Sequence, residues 1–171
     1  DPKYAEAAAS GYADLGLRHV VNVGPPSPPY TRVFRDVDAD ETVEVDLDHA
    51  FETTEAVIDR LDGIADGRIS VFVGPSELAP EAEDGEASAY DVEQMQRTRE
   101  LADAADTGIQ AHAYGGQVLA AAEAVPEILG PDLSLAHCAG VSEREIELMA
   151  ASGVGTSHGP MTNAYARARF P

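Results

Sequence analysis

Tryptophan is absent from this chain, and cysteine and lysine each occur once. The single thiol, Cys138, excludes an intrachain disulfide and fits a reducing compartment, so a cytoplasmic protein is expected. Basic residues are scarce: 11 Lys and Arg stand against 31 Asp and Glu, a formal charge of −20. Such a surface repels nucleic acid and anionic membranes, and neither is expected as a partner. No uninterrupted apolar run approaches the roughly 18 residues needed to cross a bilayer, and a secretory leader is not expected. A phosphate-cradling loop is also missing. Gly24-Pro25-Pro26 lacks the glycine spacing, and its prolines remove the amide donors such a loop needs.

What is present is enough for one domain of ordinary size, at 171 residues. The acidic excess runs the whole length of the chain, with arginine in place of lysine. That pattern resembles proteins of salt-loving organisms, because molar salt screens self-repulsion within about 3 Å. The charge is therefore expected to report habitat rather than substrate. The chain does not open with methionine and enters helical sequence at Lys3, so it is expected to be a piece of something longer.

Strand-like runs recur five times, at residues 17–23, 69–73, 109–113, 133–137 and 154–158, each followed by helical patterning. Short apolar strands alternating with helices argue for βαβ units and a parallel sheet. Helices are expected over 51–65, with Gly67 as its stop, over 90–105 with Ser88 as cap, and over 116–129, closed by Gly130-Pro131. Val92, Met95 and Leu101 mark the inward face of the second. Ser142 and Glu145 form a capping box that opens a further helix, ended by Gly153. Two long loops follow strands. Residues 24–30 carry four prolines, and residues 74–89 are acidic; loops at this end of a parallel sheet commonly cover a site, although the acidic one reads equally well as disordered.

Three successive strand patterns end in histidine: His112, His137 and His158. In a parallel sheet these side chains arrive at the same C-terminal rim, where such folds build their sites. Read singly, each is more often a hydrogen-bonded core imidazole; the repeated position favours a metal or acid–base site. A hydrolytic metal site needs neutral imidazoles, usually a carboxylate, and an open position for water. No carboxylate ends a strand. Asp132 precedes its strand and falls on the opposite face, whereas Glu77 and the carboxylates of residues 81–86 lie on a loop that can reach. Cys138 adjoins His137 but points to the other face of a strand, so it is read as a small buried thiol rather than half of a Cys–His pair. Tyr114 and Ser157 are weaker candidates for substrate contact, and His49 reads as surface.

At these residues the chain resembles the metal-dependent amidohydrolase superfamily, in the branch holding cytosine, guanine and S-adenosylhomocysteine deaminases and the triazine chlorohydrolases. The stretch from Leu135-Ala136-His137-Cys138 through the capped helix to Gly153 resembles that branch after strand six. Thr156-Ser157-His158-Gly159-Pro160-Met161-Thr162-Asn163 resembles its strand-seven segment, and Ile109-Gln110-Ala111-His112 its strand-five histidine. The resemblance holds over residues 65–165 and is weak before them. It implies an α/β fold, a (β/α)₈ TIM barrel, of which residues 1–171 supply the central part, about strands three to seven. It further implies a divalent metal, zinc or iron, with His112 and His137 as ligands, His137 also acting at the substrate, and His158 as a rim residue.

The departures are specific. The superfamily's two-histidine strand-one motif and its strand-eight aspartate have no counterpart between Asp1 and Pro171. A glutamate that many members place three residues after the strand-five histidine is Gly115 here, and the histidine that nucleoside deaminases place after strand four falls in Gly74-Pro75-Ser76. The expected function is metal-dependent hydrolysis of a C–N or related bond in a small cyclic or amide-bearing molecule. The rival is a non-catalytic barrel portion with structural histidines. A sheet of five strands with open edges is also expected to be marginal alone or to form a homo-oligomer.

Overall fold

The computed structural model describes the backbone of residues 2–165 and the side chains of residues 2–162, so the Asn163 side chain and Pro171 lie outside the described residues. The elements run α1 (Lys3–Asp14), β1 (His19–Val23), β2 (Arg32–Asp36), β3 (Glu41–Val45), α2 (Leu47–Leu61), a short turn α3 (Ile64–Gly67), β4 (Ile69–Val73), α4 (Ala89–Ala105), β5 (Ile109–Tyr114), α5 (Gln117–Ala124), β6 (Leu133–Ala139), α6 (Glu143–Ser152), β7 (Gly155–Ser157) and α7 (Pro160–Tyr165). Five strands form one parallel sheet in the order β1-β4-β5-β6-β7. This is the expected α/β alternation. The described strands make an open sheet with β1 and β7 as edges, not a closed barrel.

Alternation along the strands separates two faces. Ile69, Val71, Val73, Ile109, Ala111, Ala113, Leu133 and Leu135 are buried and cluster with Val57 and Leu61 of α2, Met95 and Ala102 of α4, Val118 and Ala121 of α5, and Met149 of α6. Fully burying a Val, Leu or Ile side chain stabilises by about 1.5–3 kcal/mol, so this helix-covered face holds the fold. The other face carries Ser70, Phe72, Gln110, His112, Ser134 and Ala136, which retain contact with solvent.

Several sequence expectations are corrected. The antiparallel hairpin β2–β3 was not expected; its strands are short, largely exposed and charge-rich, and the brief Val43-Glu44-Val45 alternation is a weak signal. Helix α2 begins at Leu47, because Asp46 caps it by accepting the His49 N–H, and it ends at Leu61, where Asp62 turns extended. Residues 64–67 make a separate turn with Ala65 and Asp66 left-handed. Helix α5 stops at Ala124, before Pro126, which cannot continue the hydrogen-bond ladder; a 3₁₀ turn, Pro126–Ile128, follows. The buried stripe of α4 is Asp91, Gln94, Met95, Thr98 and Ala102, more polar than expected, with Val92 and Leu101 only partly buried. Both capping boxes, Ser88–Asp91 and Ser142–Glu145, form. The acidic loop after β4 is ordered: Leu78 and Ala79 are fully buried and Asp91 accepts the Glu81 N–H.

Candidate functional site

The C-terminal ends of the strands gather the site. Strands β5 and β6 pair in register, His112 beside Ala136 and Ala113 beside His137, until an extra residue, Cys138, interrupts the ladder and Tyr114 pairs with Ala139. Ala113 faces the helix-covered core. An unbroken strand would therefore send the His137 ring into that core as well. Instead His137 (φ 70°) and Cys138 (φ 48°) both adopt left-handed backbone, a bulge that costs roughly 1–3 kcal/mol at each non-glycine position. The bulge re-aims the two side chains. The His137 ring stacks on His112 with centroids 4.8 Å apart and planes at 25°, and Tyr114 lies 6.0 Å away at 14°. Cys138 turns into the core and is buried, as the sequence reading expected. Burial, then the charge of Glu145, pushes its thiol pKa up.

Backbone strain of this kind needs support, and Glu145 supplies it. Its buried carboxylate accepts from Gly116 N–H (2.8 Å), Ser142 N–H (2.8 Å) and Ser142 Oγ (3.0 Å). One side chain thus joins the loop after Tyr114 to the loop after His137. Gly115 donates to the Ala139 carbonyl (3.1 Å), and a Cβ at Gly115 would run into the Gly140 carbonyl oxygen. The position where the superfamily resemblance looks for a glutamate has no room for any side chain.

The pKa of His112 is lowered from its ordinary value, first by loss of water around the ring, then by the neighbouring His137; Glu77 acts in the opposite sense. The pKa of Tyr114 is raised, by burial and then by Glu77. Ser157 stands beside Ala136 in the β6–β7 ladder, and His158 follows it, exposed. The turn after His158 approaches the site, since a Cβ on Gly159 would lie 4.0 Å from His137 Nδ1. His112, His137 and Tyr114 are therefore brought together, while Ser157 and His158 flank them. The sequence shows the Glu145 capping box but not its bond to Gly116, nor the bond from Gln117 Nε2 to Glu77 Oε2 (2.9 Å); neither long-range pairing leaves a local pattern.

Catalytic zinc usually takes three protein ligands and a water. Among the described residues no group of three His, Cys, Asp or Glu side chains is placed to hold a metal ion. His112 and His137 offer two imidazoles, so the described residues do not by themselves make a metal site.

A 5′-deoxyadenosine deaminase of Methanobrevibacter smithii is 29% identical to this chain over 172 residues, covering 94% of this chain and 34% of that protein. A triazine hydrolase from Arthobacter aurescens superposes with a TM-score of 0.67 at 17% identity, over 94% of this chain and 35% of the other. An adenosine deaminase from Xanthomonas campestris, solved with bound zinc, gives a TM-score of 0.68 at 19% identity, over 98% and 36%. These likenesses support the amidohydrolase superfamily, matched in part. The chain spans about a third of the length of the relatives it matches. No protein-family model matches it. No helix among the described residues is long and apolar enough to cross a membrane.

Proposed function

We propose that this chain is the histidine-bearing central portion of a metal-dependent hydrolase of amidohydrolase type, acting on a C–N bond of a small cyclic or amide-bearing molecule. The observation that carries the reading is the His112–His137 pair, held on one rim by a left-handed bulge that core packing alone does not require. In this reading the five strands are about strands three to seven of a (β/α)₈ barrel. His112 and His137 are two donors to a divalent ion, zinc or iron, whose remaining donors come from outside the described residues. The lowered pKa of His112 favours the neutral imidazole, the form in which a nitrogen lone pair can bind a metal. His137 also faces the substrate, with Tyr114, Ser157 and His158 around it. The deaminase and triazine hydrolase relatives support the reaction class, and the charge of −20 supports a protein adapted to high salt. A cytoplasmic location and self-association belong to the same proposal.

The test is the intact protein, purified without added metal. Elemental analysis is expected to find about one divalent ion per chain, and 5′-deoxyadenosine to be deaminated. His112→Ala and His137→Ala should each lose the ion and at least about 100-fold in kcat/KM, more than is lost when a group merely supporting a ligand is removed. Loss of stability in both variants with metal content unchanged would instead establish structural histidines.

A further inference from the structure

The acidic loop after β4 returns one carboxylate to the rim. His112 N–H donates to the Ser76 carbonyl (3.2 Å) and Leu78 N–H to the His112 carbonyl (2.9 Å), a parallel bridge that sets Glu77 beside His112. Residues bridged in this way project to the same face of a sheet, and Leu78, the next residue, is buried on the other. The ladder extends the row: His112 beside Ala136, Ala136 beside Ser157. Glu77, His112, Ala136 and Ser157 thus stand abreast at a spacing of about 4.8 Å per strand.

The Glu77 carboxylate is aimed by groups from separate elements. Ser27 Oγ, on the loop after β1, donates to Oε1 (3.2 Å), and Gln117 Nε2, at the start of α5, donates to Oε2 (2.9 Å). Gln94 Nε2, on α4, holds the Glu77 backbone carbonyl (2.9 Å). A carboxylate held at both oxygens, on a backbone itself pinned by Gln94, and set on the same face as the imidazole pair has lone pairs to offer a ligand and a charge that selects among ligands. Position 115 cannot carry a carboxylate, so the acidic group facing this rim comes from the loop.

We propose that Glu77 is a specificity-determining residue of this site. Its carboxylate accepts a hydrogen bond from an N–H or O–H donor of a neutral heterocycle or nucleoside, and its charge turns anionic ligands away. The proposal rests on the small-molecule hydrolase reading above.

The experiment uses the intact protein with 5′-deoxyadenosine and adenosine 5′-monophosphate as probes, followed by turnover and by calorimetric binding at low salt. Wild type should favour the neutral nucleoside. Glu77→Gln should raise KM and Kd for it by about 10- to 100-fold, as removal of a charge-assisted hydrogen bond does, with kcat within about threefold. The preference over the phosphate should shrink at least about tenfold. Glu77→Asp keeps the charge and should keep the preference, a readout that a merely structural role would not move. Unchanged preference in a folded Glu77→Gln protein overturns the proposal while leaving the hydrolase reading intact. Should that variant fail to fold, wild type binding both probes equally overturns it. Binding without turnover in wild type sinks the hydrolase reading and leaves the role of Glu77 readable in Kd. If wild type binds neither probe, both readings fall.

Discussion

The His137 ring stacks on His112 at 4.8 Å although the ladder pairs His137 with Ala113. The left-handed backbone at His137 and Cys138 makes the difference. Replacing Cys138 (φ 48°) by a β-branched residue places branched Cβ atoms in a conformation they resist. Cys138→Val is expected to be about 1–2 kcal/mol less stable than Cys138→Ala in urea denaturation. Its histidine ring protons should also lose the upfield shifts that stacking gives in proton NMR. Equal stability of the two variants would show that the bulge is not strained.

Glu145 is the clamp between the two site loops. Glu145→Ala leaves the Gly116 and Ser142 amides without their acceptor, at about 1–3 kcal/mol for each. Urea denaturation should show a loss in that range summed over both. Glu145→Gln, which keeps one oxygen, should lose less; equal losses would mean that a single retained acceptor adds no stability.

Gly115 lies against the Gly140 carbonyl, where a Cβ cannot fit. Gly115→Ala should cost about 1–3 kcal/mol by overpacking, and Gly115→Glu should not restore the superfamily glutamate but unfold the rim. Thermal melts of both variants check this. A stable Gly115→Glu protein would mean that the loop yields.

Asp36, at the end of β2, ties the hairpin to α1. It accepts from Lys3 Nζ (2.6 Å) and from the Ala39 and Asp38 amides. The Lys3 bond, followed by the backbone donors, lowers its carboxyl pKa from 3.8 to about 2. A depressed folded-state pKa means that this stability is fully present above pH 3.8 and is lost as pH falls through about 2. The Lys3 ammonium, raised from 10.5 to about 12 chiefly by the same bond, contributes below pH 10.5 and is lost as pH rises through about 12. Asp36→Asn should flatten the acid limb of a stability–pH curve measured by urea titration. An acid limb identical to wild type would remove Asp36 from the account.

Most of the sheet is legible in the chain. Ile69, Val71 and Val73, or Leu133 and Leu135, form short apolar runs whose alternate residues pack on helices, and Ser88 and Ser142 announce helix starts through bonds three residues long. Such signals are local, so the sequence holds them whole. The hairpin β2–β3 escaped because its strands bury little apolar surface.

Sequence alone determined the parallel α/β alternation, the acidic charge, and the arrival of His112 and His137 at one end of adjacent strands. Those depend on residue type and on spacing along the chain. Tertiary structure decided that the two rings meet, that Gly115 admits no side chain, and that Glu77 stands beside His112. Each of these depends on contacts between residues far apart in sequence. A bulge, a carbonyl 25 positions away and a bridge to a loop 35 positions away leave no trace in local pattern.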